Sequence, residues 1–182
     1  LISGLIVDEK GRTYGYTHPT ILDYADGLHL PNLTSLTWHK QDYDGKREDP
    51  NLPTFFEDWD LPKLTHFGGL NVVINAPSVG YNLISATLRF GPDPSSEWNL
   101  SDTFRALSES TDLKHLTIEF VGIRPHQFEF WRADLESLSS FEITLRSSID
   151  DEVIVNILSD LNMPNLDSIG FTMVVLNVYF VQ

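Results

Sequence analysis

Six stretches of the chain repeat one order of apolar and polar positions. LTSLTWHK begins at Leu33, LTHFGGLNV at Leu64, LISATLRF at Leu83, LKHLTIEF at Leu113, LSSFEITL at Leu138 and LDSIGFTM at Leu166. Counted from the first leucine, apolar or small residues fall at offsets 0, 3, 5 and usually 7. Offsets 3, 5 and 7 alternate, which is the period of a strand with one face buried. Offset 0 marks the place where the chain turns into the strand. Pro31, Pro62 and Pro164 stand two residues earlier, where a missing N–H does least harm. Residues 2–8, ISGLIVD, read as an earlier and weaker copy. In the second copy Gly68-Gly69 intervene, and Leu70, Val72 and Ile74 resume the alternation one residue late, which predicts a glycine bulge. The terminal FTMVVLNVYFVQ reads as a buried strand.

Between the copies the pattern turns helical. SDTFRALSES offers Ser101 as N-cap and sets Phe104 and Leu107 on one face. SIDDEVIVNILSDL offers Ser148 or Asp150 as cap, acids in the first turn, and Ile154, Ile157, Leu158 and Leu161 at helical spacing. RPHQFEFWRADL places Pro125 near a helix start, and PTILDYAD and PTFFEDWD can each form a turn or two. NAPSVGYN, residues 75–82, is too short for a helix. Successive copies are 31, 19, 30, 25 and 28 residues apart, the range of leucine-rich repeats with their LxxLxL core. One strand and one return segment cannot bury an apolar face alone, so the copies must stack. The predicted fold is α/β: a leucine-rich-repeat-like solenoid over residues 1–182, one repeat domain of about six strand-return units. A parallel sheet lies on one face, with short helices or loops on the other. The chain starts at Leu1 rather than Met, as a piece of a longer chain would.

Charge and composition narrow the partners. The net charge of −14, from 26 acidic and 12 basic residues, repels nucleic acid and anionic lipid and favours a basic protein partner or plain solubility. The chain has no cysteine, which excludes disulfides, thiolate zinc sites and a cysteine nucleophile, and fits an intracellular setting. LISGLIV lacks the basic lead of a signal peptide, and the apolar C-terminal run is too short to span a membrane.

Little in the sequence points to catalysis, a cofactor or a metal. DYDGKRED, residues 42–49, departs from a calcium loop at Lys46 and Arg47 and reads as a solvated turn. His18, His29, His39, His66, His115 and His126 never take the i, i+4 spacing of a helical zinc pair. Asn32-Leu33-Thr34 and Asn99-Leu100-Ser101 match the glycosylation sequon as chance occurrences. No phosphate loop, nucleophile elbow or kinase signature appears. What the repeat does define is a surface, because residues between the apolar offsets face away from the core. Offset 2 carries Ser35, His66, Ser85, His115 and Ser140; offset 4 carries Thr37, Thr87, Thr117 and Glu142; offset 6 carries His39, Arg89, Glu119 and Thr144. Stacked, these become columns on the concave sheet, with Arg89 beside Glu119. They form either a partner-binding face or a polar sheet surface without a ligand.

The span from about Ile21 to Phe120 resembles the C-terminal repeat region of F-box-like proteins from mushroom-forming fungi. The resemblance rests on LPNLTSLTW, LPKLTHFGGLNV, APSVGYNLISATLRFGPD and LSDTFRALSESTDLKHLTIEF. It implies a non-enzymatic, substrate-recruiting repeat domain of a ubiquitin ligase receptor. The Skp adaptor is an expected partner only if an F-box precedes this chain, since none is visible in it. The rival expectations are a purely structural repeat fragment and a parallel β-helix carbohydrate-active enzyme. The β-helix needs strands where three return segments here carry helical caps.

Overall fold

In the computed structural model the described residues are 4–8, 28–39, 59–72, 74, 81–91, 100–121, 132–146 and 151–174. The loop at 42–49 and the expected short helix at 19–26 lie outside them, as do residues 53–58 and 124–131, the short connection at 75–80, the caps Ser148 and Asp150, and residues 175–182. The described ends of the helices expected at 53–60 and 124–135 are not helical, since Asp60 forms a β-bridge and Ala133–Asp134 a short strand.

A strand begins at offset 2 of every copy: β2 Ser35–His39, β3 His66–Leu70, β4 Ser85–Phe90, β5 His115–Val121, β7 Ser140–Arg146 and β9 Ser168–Val174. The weak early copy supplies β1, Gly4–Asp8. All seven are parallel and lie in the order β1-β2-β3-β4-β5-β7-β9. The register does not slip, so Ser35 pairs with His66, His66 with Ser85, Ser85 with His115, His115 with Ser140 and Ser140 with Ser168.

A common turn sets that register. The N–H of the offset 0 leucine donates to the carbonyl three residues back, as in Leu33 to Leu30, Leu64 to Leu61, Leu113 to Ser110, Leu138 to Leu135 and Leu166 to Met163, at 3.1–3.3 Å. Pro31, Pro62 and Pro164 take the second turn position, where a fixed φ near −65° suits the geometry. The next carbonyl ties copy to copy: Thr34 O accepts from the N–H groups of both Thr65 and His66, and Thr65, Ile84, Lys114 and Ser139 repeat the arrangement.

Among the described residues two helices fill return segments, α1 Leu100–Ser108 and α2 Asp151–Asp160. In α1 the spacing of Leu100, Thr103, Phe104 and Leu107 puts all four on the buried side. The helix already includes Leu100, so Ser101 lies in its first turn rather than capping it. In α2 Ile157 is buried and Ile154 half-buried, but Leu158 is exposed, and Leu161 belongs to a following strand. That strand, β8 Leu161–Asn162, pairs in parallel with β6 Ala133–Asp134. Both contain the offset −4 residue of their copies, as does the isolated parallel bridge between His29 and Asp60.

The core fills from offsets 0, 3, 5 and 7. Leu33, Leu64, Leu83, Leu113 and Leu138 are buried at the turn; Leu36, Phe67, Ala86, Leu116 and Phe141 follow at offset 3. Trp38, Leu88, Ile118 and Ile143 hold offset 5, and Phe90, Phe120 and Leu145 hold offset 7. The Phe90 and Phe120 rings stack with centroids 5.9 Å apart. Each such burial contributes about 1.5–3 kcal/mol. The last strand departs from expectation. Ile169, Phe171 and Met173 continue the inward columns but are exposed, because β9 has a neighbour in the sheet on one side only among the described residues.

The expected bulge at Gly68-Gly69 is absent. Both glycines pair in register with β2 and β4. Gly69 turns inward, where the space a side chain would need is held by Leu88 and Phe67, each about 3.2 Å from an added Cβ. The change of phase comes at Asn71, whose φ of 55° turns the chain so that Val72 and Ile74 re-enter the core. Asn71 is held there from both ends: its N–H donates to Arg89 O, and its Oδ1 accepts from Gly91 N, each at 2.8 Å. Beyond it Ile74 N donates to the hydroxyl of fully buried Thr103 at 3.0 Å. Thr103→Val keeps the shape but leaves that N–H without an acceptor. It is expected to lower the free energy of unfolding by about 1–3 kcal/mol in urea titration.

Candidate interaction face

The alternation that buries offsets 3, 5 and 7 sends offsets 2, 4 and 6 to the opposite side of the sheet. Equal register turns them into straight columns. Offset 2 places Ser35, His66, Ser85, His115 and Ser140 side by side; offset 4 places Thr37, Gly68, Thr87, Thr117 and Glu142; offset 6 places His39, Leu70, Arg89, Glu119 and Thr144. His66, Thr87, Arg89, His115 and Glu142 are exposed. Ser35, Thr37, Ser85, Thr117, Glu119, Ser140 and Thr144 are half-buried between their neighbours. Twelve of the thirteen residues singled out from the sequence therefore share one face, with His39 in register with them, but they do not converge on a point.

Charge concentrates at one end of β4, β5 and β7. Glu119 Oε1 contacts the Arg146 guanidinium at Nε and lies 3.6 Å from Arg89 Nε. The Glu119 side chain is 18% exposed, against 47% for Arg89 and 45% for Arg146. The Arg89–Glu119 pairing follows from register alone. Arg146 was missed, because it stands at offset 8, one step past the offsets read; continuing the outward alternation of β7 from Thr144 would have found it.

The acidic excess lies largely elsewhere. Among the described residues the outward positions hold two cations, Arg89 and Arg146, against Glu119, Glu142 and, by register, Asp8. At the other end of the columns Thr65 Oγ1 donates to Thr34 O at 3.1 Å and meets His66 Nδ1 at 2.8 Å.

A second set of polar side chains runs along the turns and was not foreseen. Asn82 Nδ2 donates to Pro62 O at 3.0 Å, and Asn165 Nδ2 to Glu136 O at 2.7 Å, the same link between a turn and the one before it. Ser137 Oγ donates to Leu113 O at 3.0 Å. At offset −4 His29 Nδ1 meets Asp60 Oδ2 at 2.6 Å, and Asn162 Nδ2 donates to Asp134 Oδ1 at 2.8 Å. These contacts join neighbouring copies, so their plain role is to hold the stack. A groove of about 410 Å³ beside them is lined by Leu107, Ser110, Leu113, Leu135 and Asn165, among others.

Among the described residues no three His, Asp or Glu side chains gather as a metal site, and no helix is long and apolar enough to cross a membrane. Comparison with protein-family models, curated proteins and solved structures finds no match to this chain.

Proposed function

We propose that the chain is a leucine-rich-repeat-type solenoid that binds a protein partner along the outward face of its sheet, without catalysing a reaction. The observation that carries this reading is the equal register of all six copies, which lines up small hydroxyls, histidines and one ion-paired cluster in continuous columns. Stacked repeats commonly bind along such a face. Seven of the positions there are serines and threonines, short side chains whose ordering on binding costs little. In the setting that the sequence resemblance implies, the partner is a substrate and the chain belongs to an intracellular F-box-type receptor. A longer chain carrying an F-box should then co-purify with the Skp adaptor.

A random-peptide display library panned against the chain tests the docking face. Selected peptides are expected to bind the Thr87→Tyr and Thr117→Tyr variants at least about tenfold more weakly, since an uncharged, bulky ring is placed mid-column. The Glu109→Lys variant, altered at an exposed turn, should bind them within about twofold of the parent. The reverse ranking, measured by fluorescence anisotropy on variants with unchanged melting temperatures, would place binding off the sheet face.

A further inference from the structure

At the charged end of the columns one carboxylate, Glu119, lies between two guanidiniums, in a chain whose total charge is −14. The two arginines are not equivalent. Glu119 Oε1 is in direct contact with Arg146, whereas the 3.6 Å to Arg89 Nε exceeds hydrogen-bonding distance. Among the described residues Glu119 is the only acidic partner of Arg89. Arg89 is thus steered by a nearby charge while its side chain, which ends in a planar fork of N–H donors, remains about half exposed.

The surroundings of Arg89 suit an acidic side chain. Thr87, two residues earlier on the same strand, is exposed, and Thr117 lies beside it on β5; both bring hydroxyl donors. On the β3 side the register partner is half-buried Leu70, an apolar floor for a methylene stem. Among the described residues the next outward acid, Glu142, is two strands away from β4, roughly 10 Å across the sheet.

We infer that Arg89 anchors a carboxylate of an acidic peptide segment in the partner. Its guanidinium takes the carboxylate through paired N–H donors, with Glu119 and Arg146 as positioning residues that hold the fork ready. The inference rests on the sheet-face reading above and gives that face a preference opposite to the one net charge implies. It also sets a salt signature: moderate salt should raise the association rate of an acidic segment, by screening the long-range repulsion of the −14 chain.

Three fluorescein-labelled peptides of equal length provide the test: alternating Ser-Glu, Ser-Gln and Ser-Lys. Anisotropy is expected to show binding of Ser-Glu alone. Arg89→Gln should weaken it at least about tenfold and Arg89→Lys by less, because charge survives but the fork does not. Both substitutions are at an exposed position, and unchanged melting temperatures establish that the variants fold. Ser-Glu binding that Arg89→Gln leaves intact overturns the anchor, as does equal binding of Ser-Gln or an absence of binding by any peptide. If Ser-Lys alone binds and Thr117→Tyr abolishes it, the anchor fails while the docking face stands. If Ser-Lys binds and neither Thr117→Tyr nor Arg89→Gln matters, both fail.

Discussion

Leu116→Asp is expected to remove most of the stability of the fold. Leu116 is 1% exposed at offset 3 of β5, with Ala86 and Phe141 as its register neighbours. The substitution forfeits about 1.5–3 kcal/mol of apolar burial. It also places a carboxylate among leucine and phenylalanine side chains, at a further cost of several kcal/mol whether it stays charged or takes up a proton. A total above about 4 kcal/mol is a large part of the 5–15 kcal/mol of a typical domain. Urea titration should give a strongly lowered midpoint or no cooperative transition. Thr87→Asp, one strand away on the outward face, should cost only about 1 kcal/mol or less. Equal midpoints for the two variants would mean that the inward and outward offsets had been assigned to the wrong sides.

Gly91→Ala is expected to cost about 3 kcal/mol or more, although it adds a single methyl group. Gly91 sits at φ 105°, a conformation that side chains rarely adopt. An added Cβ would lie 1.9 Å from the carbonyl oxygen of Val121 and 2.9 Å from its carbonyl carbon. Both atoms are backbone, so relief requires β4 and β5 to move apart just beyond the paired Arg89 and Glu119. That movement also strains the Gly91 N–H bond to Asn71 Oδ1. Gly68→Ala provides the contrast. Its Cβ would meet the side chain of Thr37 at 3.2–3.3 Å, and a small rotation there should hold the loss to about 1 kcal/mol. A Gly91→Ala variant with the parental urea midpoint would remove the argument that the two backbones must touch.

The strands were legible because their signal is local. Alternation within six or seven residues shows which side chains face inward, and in three copies a Pro-Asn-Leu or Pro-Lys-Leu turn marks where the strand starts. The same local rule erred where two readings fit one stretch. At Gly68-Gly69 the late return of Leu70, Val72 and Ile74 reads as a bulge, yet the phase changes at Asn71, after the strand has ended. An asparagine can take a left-handed conformation as well as a glycine can supply a bulge, and composition does not separate them. In β9 the alternation of Ile169, Phe171 and Met173 is as clean as in β5, but alternation reports which residues share a side, not whether anything packs on that side. The outward face was legible as columns, while its charged cluster was legible only in part: Arg89 and Glu119 share an offset and Arg146 does not.

Offset, turn and facing direction belong to single segments of the chain, and short-range sterics and apolar spacing are enough to set them. Contacts between copies depend on return segments that differ in length, with successive copies 19 to 31 residues apart. The diagonal reach of Arg146 to Glu119, the Asn162–Asp134 link and the Gly91–Val121 contact each join two copies through backbone positions that only the packed stack brings within a few ångströms. Repeat spacing names the columns; side-chain length and strand separation decide which members of adjacent columns meet.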